Sequence, residues 1–385
     1  MANSERHFIN QGLIGKPGSR GSMATPALVL DLSALAANIA SMATHCGRHG
    51  LALRPHAKTH KCAEIARAQL AAGAVGICCA KLGEAEVLGA EGIGNILLTS
   101  PVVTAFAVER LMALNARMPD LIVAVDNSEN ATALADAAEA AGKPLQVVMD
   151  LDVGLHRTGI RPGDAAHALA RQIEESPHLL FKGLQAYAGH LMHIEAYEER
   201  REKSLAVMKM LGDMRDRLAK DGIGCDILTG GGTGTFDIDV EAGVLTELQG
   251  GSYIFMDKQY NDVEGPDGTS LGARFQTSLF VQMSVVSNNT PKLATTDAGF
   301  KSFSTDAEPP VLSSGVPDDA KYFFFGDEQG GILLSSENEK LALGTVLTAV
   351  TPHCDPTVNL YDCYHVVDGD TLVAIWPIEA RGKSA

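Results

Sequence analysis

Short apolar segments alternate with alanine-rich segments of helical spacing from about residue 53 to 255. Most of the apolar segments are too hydrophobic to be half exposed, which predicts buried parallel strands separated by helices. The predicted strands are LRPHAK (53–58), GICCAK (76–81), NILLTS (95–100), LIVAVDN (121–127), LQVVMDLD (145–152), LFKGLQAY (180–187), CDILTGG (225–231) and ELQGGSYIF (247–255). Eight strands predict a (β/α)8 barrel, although a doubly wound open sheet would give the same periodicity.

The pattern changes towards the C-terminus. After about residue 270, short strands are punctuated by Gly, Pro, Asn and Asp with almost no helical periodicity, which predicts an all-β domain. TPALVLDLSAL (25–35) is a ninth strand followed by a helix, one more than a closed barrel needs. The predicted organisation is therefore an N-terminal arm at 1–24, a barrel region at 25–268 and a β-domain at 269–385.

Composition limits the function. The chain has 385 residues and a formal net charge of −16, which argues against nucleic acid or an anionic membrane as a partner. No apolar run approaches the roughly 20 residues of a membrane span, and the polar N-terminal segment resembles a loose arm rather than a signal peptide. Seven scattered cysteines without a CxxC pair indicate reduced thiols and a cytoplasmic protein.

Candidate catalytic chemistry begins with RPHAKTHK (54–61), where Lys58 ends the first predicted barrel strand. The carboxyl ends of strands form the active sites of barrels and open α/β sheets. A lysine there can lose its proton when it is desolvated or close to other cations, and a neutral amine is what an imine-forming enzyme requires. A solvated loop lysine is the competing interpretation.

Two small-residue segments follow the last two predicted strands. TGGGTGT (229–235) has backbone N–H groups that could surround a phosphate, with hydroxyls from Thr233 and Thr235, but it is not a nucleoside-triphosphate loop. GGSY (250–253) is the second segment. Together they fit the phosphate site that barrels build after strands 7 and 8, although either segment alone would equally fit a flexible turn.

Three histidine-containing motifs are further candidates. In HCD (353–355), an extended chain would place His353 and Asp355 on one face and Cys354 on the other, so that the pair could bind Mn²⁺, Co²⁺, Zn²⁺ or Mg²⁺. YAGHLMH (187–193) and HRTG (156–159) follow predicted strands and could reach a site there. The alternatives are a surface hydrogen-bonding pair for HCD, a core histidine for YAGHLMH and a solvated arginine for HRTG.

Taken together, these motifs resemble the metal-activated pyridoxal-phosphate enzymes with an alanine racemase-type barrel, a family that includes D-threonine aldolase, D-serine dehydratase and 3-hydroxy-D-aspartate aldolase. The resemblance extends from TPALVLDL to IWPIEARG and includes TGGGTGT, DEQG and PHCDPTVNLYD in the same order. It implies that the strand at 27–32 joins the β-domain, which leaves eight strands for the barrel.

The resemblance also assigns roles to residues. It implies that Lys58 carries pyridoxal phosphate as an imine, that His193 is the base, and that His353 and Asp355 bind a divalent metal, with Mn²⁺ expected first. The residues implied to surround the cofactor are Arg157 and Tyr187 near the pyridine ring or its phenolic oxygen, and Thr233, Gly251, Ser252 and Tyr260 near the phosphate.

The implied activity is the retro-aldol cleavage of D-β-hydroxy-α-amino acids, such as D-threonine, to glycine and an aldehyde. Asp355 favours an aldolase because the related dehydratases typically have a cysteine at this position. A D-serine or 3-hydroxy-D-aspartate dehydratase is the alternative, followed by a racemase or a non-catalytic carrier of the cofactor. A D-amino acid is the expected small-molecule partner, and a homodimer is left open.

Overall fold

The structure, a computed structural model, describes residues 8–336 and 339–385. The chain folds into two compact units, and each is considered by itself below. The barrel unit comprises 40–251, 263–269 and 382–385, and the β unit comprises the described parts of 8–39, 252–262 and 270–381. Within the described residues, no helix is both long enough and apolar enough to span a bilayer.

Regular structure begins with β1 (Ala27–Asp31) and α1 (Leu32–Arg48). The eight strands of the barrel unit follow, and these are β2 (Ala52–Leu53), β3 (Ile77–Cys79), β4 (Ile96–Leu98), β5 (Ile122–Val125), β6 (Leu145–Asp150), β7 (Leu179–Ala186), β8 (Ile227–Gly230) and β9 (Glu247–Leu248). The helices between them are α2 (Ala63–Ala71), α3 (Leu82–Ala90), α4 (Ala105–Arg117), α5 (Ser128–Ala140), α6 (Asp164–Glu174), α7 (Tyr197–Lys220) and α8 (Phe236–Asp239).

The eight strands form a closed parallel barrel. Their order is β2-β9-β8-β7-β6-β5-β4-β3, and every pairing between neighbours is parallel. A parallel bridge between His56 and Cys78 joins the two ends of this order, supported by the hydrogen bond from Ala57 N to Cys78 O. The predicted (β/α)8 barrel is thus confirmed, and closure excludes the open sheet that fitted the same periodicity.

Several strands are shorter than the sequence predicts. The first strand is regular only to Leu53, although Arg54 N still donates to Leu248 O at 2.9 Å and His56 N to Gly250 O at 3.2 Å. The last strand ends at Leu248, and the chain continues through two glycines into a 3-10 helix at Ser252–Ile254. The segment 252–262, which the sequence predicts to be part of the barrel region, packs in the β unit.

The β unit contains a nine-stranded sheet. Its strands after β1 are β10 (Leu279–Thr290), β11 (Leu293–Thr296), β12 (Val311–Ser314), β13 (Lys321–Phe324), β14 (Gly330–Leu333), β15 (Val346–Val350), β16 (Cys363–Asp368) and β17 (Thr371–Pro377), with short helices α9 (Lys258–Asn261) and α10 (Cys354–Val358). The main order is β13-β14-β11-β10-β1-β16-β17, and β15 pairs with β10 and β12. Because β1 lies between β10 and β16, the expectation that the ninth strand joins the β-domain is confirmed.

Residues 8–24 are ordered against this sheet. Gly15 N donates to Leu372 O at 2.8 Å, and Leu372 N donates to Ser19 Oγ at 2.9 Å. Met23 is buried in a cluster with Val29, against which Leu13 packs. The expectation of a loose arm at 1–24 is therefore wrong for residues 8–24, because apolar burial and backbone hydrogen bonds hold this segment in place, while residues 1–7 lie outside the described residues.

Candidate active site

A cavity of about 590 Å³ opens at the carboxyl ends of the barrel strands. Three of the residues that the sequence predicts for the cofactor site line it together, and these are Lys58, Arg157 and Tyr187. They come from loops after β2, β6 and β7, so it is closure of the barrel that brings them together. The volume lies within the range of small-molecule sites. Among the described lining residues, His193, Thr233 and Gly251 are not found.

The backbone of Lys58 is held in place by the side chain of His56. The Lys58 N–H donates to His56 Nδ1 at 3.3 Å, while His56 Nε2 lies 3.2 Å from Thr99 Oγ1. The Thr99 hydroxyl donates to Cys79 O at 3.2 Å, so it must accept from His56 Nε2–H. These contacts assign a neutral His56 with its proton on Nε2. The histidine therefore fixes the lysine loop without adding a positive charge next to the amine.

Two other cations of RPHAKTHK are paired with buried carboxylates. Arg54 donates to both carboxylate oxygens of Glu247, and Lys61 forms an ion pair with Glu84. Both pairs have side chains at most 11% exposed. Arg54 and Lys61 thus act as structural ties within the barrel unit, and the clustering of basic residues does not amount to a cationic surface.

A buried polar network includes Thr99, Gln185 and Gln249 of the cavity lining. Gln185 Nε2 donates to Asp150 Oδ1 at 2.9 Å and to Thr99 O at 3.0 Å. Gln249 Nε2 donates to Gln185 Oε1 at 3.2 Å and to Thr229 Oγ1 at 3.0 Å. Because each amide is fixed by two partners, Gln185 and Gln249 present fixed polar atoms to the cavity that they line.

Asp150 is the buried acid of this network. Burial raises the pKa of its carboxyl to about 6, although hydrogen bonds from Gln185 and from Thr158 Oγ1 at 2.8 Å oppose the rise. The sequence motifs did not point to Asp150, Gln185 or Gln249. The available signal was a polar side chain at an inward position of an otherwise apolar strand, close to the carboxyl end of that strand.

The HRTG loop positions Arg157 against an aromatic ring. The guanidinium carbon of Arg157 lies 5.5 Å from the centroid of Tyr187, which is within range of a cation–π contact. Gly159 N donates to Asp126 Oδ2 at 2.8 Å. Gly159 has φ +100° and a Cβ there would lie 2.4 Å from Asp152 N, so only glycine fits this turn.

The TGGGTGT segment is built by close backbone approach. A Cβ at Gly234 would lie 2.1 Å from Met192 O, so no side chain fits at this position. Thr233 is buried. Thr235 Oγ1 donates to Asp239 Oδ2 at 2.6 Å, and Ser204 Oγ donates to the other oxygen of the same carboxylate at 2.6 Å. The Thr235 hydroxyl is therefore engaged in holding the loop, which leaves Thr233 as the candidate phosphate ligand of this segment.

Gly251 and Thr59 provide a structural test of the fit to a phosphorylated cofactor. A Cβ at Gly251 would lie 2.7 Å from Thr59 Oγ1 and 3.2 Å from His56 O. Thr59 Oγ1 is buried and has no hydrogen-bond partner in the described part of the chain. A space that a Cβ would fill, next to an unsatisfied hydroxyl, is suited to accept an oxygen of a phosphate. The residues present in the barrel unit therefore fit pyridoxal phosphate.

Ser252 and Tyr260, the other two predicted phosphate-region residues, belong to the β unit and are buried there. Asp257 accepts a hydrogen bond from Tyr260 N at 3.0 Å, which starts α9. Its second oxygen accepts from Cys354 N at 2.8 Å. One buried carboxylate thus holds α9 and the HCD segment together.

The HCD segment is not extended. His353 is the N-cap of α10, and Cys354 and Asp355 lie in its first turn. The expected strand-like alternation is therefore wrong, because the helix starts at this point. Cys354 is nonetheless fully buried, whereas His353 and Asp355 are half-buried. Burial raises the pKa of the Cys354 thiol well above its usual value, and the nearby Asp257 and Asp355 carboxylates raise it further, so the thiol stays protonated.

His353 and Asp355 keep the donor types expected for a divalent cation. His353 Nδ1 lies 2.7 Å from Asp306 Oδ2, which leaves Nε2 as the ring nitrogen for a metal. No group of three or more His, Cys, Asp or Glu side chains with metal-binding geometry occurs among residues 8–336 and 339–385. The two residues therefore fit only a cation whose other positions are taken by water or substrate.

His193 lies on an exposed turn after the 3-10 helix Gly189–Leu191. Three residues before it, His190 has a pKa that is lowered mainly by burial. The role of His193 as a base remains a prediction, because nothing in the barrel unit places it on the cavity wall.

Comparison with known proteins identifies close relatives. Residues 30–259 match a family model described as "Alanine racemase, N-terminal domain", and residues 278–367 match a "Putative serine dehydratase domain". The chain is 41% identical to a D-threonine aldolase of Arthrobacter sp over 94% of its length and 93% of the relative. It is 35% identical to a 3-hydroxy-D-aspartate aldolase of Paracoccus denitrificans (strain Pd 1222), covering 93% and 92% of the two chains.

The fold agrees with these matches. The crystal structure of a D-threonine aldolase from Filomicrobium marinum aligns with a TM-score of 0.90 at 35% sequence identity, and covers 95% of this chain and 97% of the other.

Proposed function

Because the chain belongs to the family of pyridoxal-phosphate-dependent D-amino-acid lyases with an alanine racemase-type N-terminal domain, we propose that it cleaves D-β-hydroxy-α-amino acids of the D-threonine type to glycine and an aldehyde, with the help of a divalent metal. The observation that supports this proposal most strongly is the convergence of Lys58, Arg157 and Tyr187 on one cavity at the carboxyl end of the barrel.

The barrel unit has groups suited to hold the cofactor and to control its environment. When bound, pyridoxal phosphate supplies an electron sink for the bond that breaks at the substrate Cα. Lys58 would hold its aldehyde carbon, while Thr233 and Gly251 would face its phosphate. Arg157 over the Tyr187 ring provides a cationic group for the pyridine ring or its phenolic oxygen. Gln185 and Gln249, which line the cavity, are joined by a hydrogen bond between their amides.

The β unit contains the residues that would bind the metal. His353 and Asp355 would hold a divalent ion, and the chemistry supplied there would be that of a Lewis acid toward the substrate β-hydroxyl. His193 would accept the hydroxyl proton, after which the Cα–Cβ bond breaks and the aldehyde leaves. The amine of Lys58 would return a proton to the substrate Cα. Asp306, held at His353 Nδ1, would keep the imidazole in the tautomer that presents Nε2.

A dehydratase is the second candidate. The match of residues 278–367 to a putative serine dehydratase domain favours it, since this segment contains His353 and Asp355. In that reaction the base acts at Cα, and hydroxide leaves to give a keto acid and ammonia. The aldolase is preferred because an aspartate stands as the second metal donor and the Cys354 thiol is buried and protonated.

The test is an incubation of the holoprotein with D-threonine, L-threonine, D-serine and 3-hydroxy-D-aspartate, with and without Mn²⁺. The proposal predicts glycine and an aldehyde from the D-β-hydroxy amino acids only, with a dependence on metal. Keto acid and ammonia as the main products would support the dehydratase. Absence of any turnover would support a carrier function.

A further inference from the structure

Lys81 lines the same cavity as Lys58. It lies between β3 and α3, and its side chain is exposed. Its backbone is fixed, because Glu84 Oε2 accepts hydrogen bonds from Ala80 N at 2.9 Å and from Lys81 N at 3.2 Å. The other oxygen of Glu84 pairs with Lys61. A rigid turn thus carries a flexible cationic side chain at the wall of the cavity.

The cationic side chains of the barrel unit differ in whether they are paired with a carboxylate. Arg54 and Lys61 each have a buried carboxylate partner. The Lys81 ammonium makes no hydrogen bond and no ion pair with any residue of the described chain. Asp126 is the one carboxylate in the described lining of the cavity, and it accepts a hydrogen bond from Gly159 N. An ammonium group at a cavity wall without a protein partner is suited to an anionic ligand group.

We propose that Lys81 binds a carboxylate of the substrate. This inference rests on the proposed lyase function, and it adds a specificity-determining residue. Lys58 cannot serve this purpose if its amine holds the cofactor, and Arg157 lies against the Tyr187 ring. Every D-β-hydroxy-α-amino acid carries an α-carboxylate, and a substrate of the 3-hydroxyaspartate type carries a second carboxylate on its side chain. Either carboxylate can accept a hydrogen bond from the Lys81 ammonium.

The experiment compares the parent holoprotein with Lys81→Met and Lys81→Arg variants. Each is titrated with D-threonine and with 3-hydroxy-D-aspartate. Binding is followed by the visible absorption of the bound cofactor, and KM and kcat are measured for both substrates. Lys209→Met is the matched control, because Lys209 is an exposed lysine of α7 that pairs only with the exposed Asp213. Lys81→Met should fold normally, since no protein contact of the ammonium is removed.

Loss of one charge-assisted hydrogen bond should weaken binding and raise KM roughly 10- to 100-fold with a smaller change in kcat, and Lys81→Arg should restore much of the loss. If both substrates are affected equally, Lys81 binds the α-carboxylate; if only 3-hydroxy-D-aspartate is affected, it binds the side-chain carboxylate. Unchanged dissociation constants and KM values in Lys81→Met would overturn the inference while leaving the lyase proposal intact. A parent protein that neither binds nor cleaves these amino acids would overturn both.

Discussion

The guanidinium group of Arg54 donates two hydrogen bonds to the carboxylate of Glu247, with Nε–Oε2 and Nη2–Oε1 distances of 2.8 and 2.7 Å. Arg54 Nη1 also donates to Asn95 O at 2.6 Å. Arg54 follows β2, Glu247 begins β9, and Asn95 precedes β4. One buried arginine, four residues before Lys58 in the sequence, therefore ties together three parts of the barrel.

Replacement of Glu247 should destabilise the barrel. Glu247→Ala leaves the guanidinium of Arg54 buried without its carboxylate, which should lower the free energy of unfolding by about 3–5 kcal/mol. Glu199→Ala is the control, because its pair with Lys203 is exposed and should contribute less than about 1 kcal/mol. Urea unfolding of both variants measures the difference. Equal losses would show that the buried pair has no special structural role.

Asp150 should make stability depend on pH. Its pKa is raised by burial to about 6, so the folded state binds its proton more tightly than the unfolded state does. The stability that it contributes is fully present below the unfolded pKa of about 4 and is lost as the pH rises through 6. Between pH 3 and 8, the parent should lose about 3 kcal/mol relative to Asp150→Asn, from a shift of about two pKa units. Parallel stability curves in urea titrations would contradict this account.

Local apolar patterns in the sequence predict individual strands, but they do not predict hydrogen bonds between distant residues. The apolar run in TPALVLDLSAL predicts β1, whereas Lys58, expected to end a strand at 53–58, lies in the loop five residues after β2 and lines the cavity from there. The network of Asp150, Gln185 and Gln249 was missed, since its hydrogen bonds join residues as far as 86 positions apart in the sequence. The helical start at His353 was missed too, because Asp257, which holds Cys354 N, is 97 residues away.

Lys58 should be the attachment point of the cofactor. Reduction of the holoprotein with borohydride, followed by proteolysis and mass spectrometry, should find the cofactor mass on the peptide that contains Lys58. Lys58→Ala should abolish both the visible absorption band and turnover, whereas Lys209→Ala, on the exposed face of α7, should keep both. A label on another lysine, or a visible band that persists in Lys58→Ala, would refute the assignment.

His353 and Asp355 should bind a metal that is needed for turnover. His353→Ala and Asp355→Ala should remove metal binding, measured by titration with Mn²⁺, and should remove the activity that a chelator removes from the parent. Asp306→Asn should weaken Mn²⁺ affinity about 10- to 100-fold, because Asp306 orients the imidazole.

Asp319→Asn, an exposed substitution in the same unit, is the control and should bind Mn²⁺ like the parent. Chelator-insensitive turnover in both His353→Ala and Asp355→Ala would show that these residues hold no catalytic metal.

We expect the chain to break the Cα–Cβ bond of a D-β-hydroxy-α-amino acid, with His193 as the base at the hydroxyl. The most direct measurement is product analysis of D-threonine turnover in D₂O by the parent and by His193→Ala. The parent should give equimolar acetaldehyde and glycine, with one solvent deuterium at the glycine Cα. His193→Ala should be slower by about 10²–10⁴, the usual contribution of a general base, yet should still exchange the Cα proton of added glycine. Ammonia and 2-oxobutanoate in place of glycine and acetaldehyde would show that the chain is not an aldolase. Undiminished cleavage by His193→Ala would show that His193 is not the base.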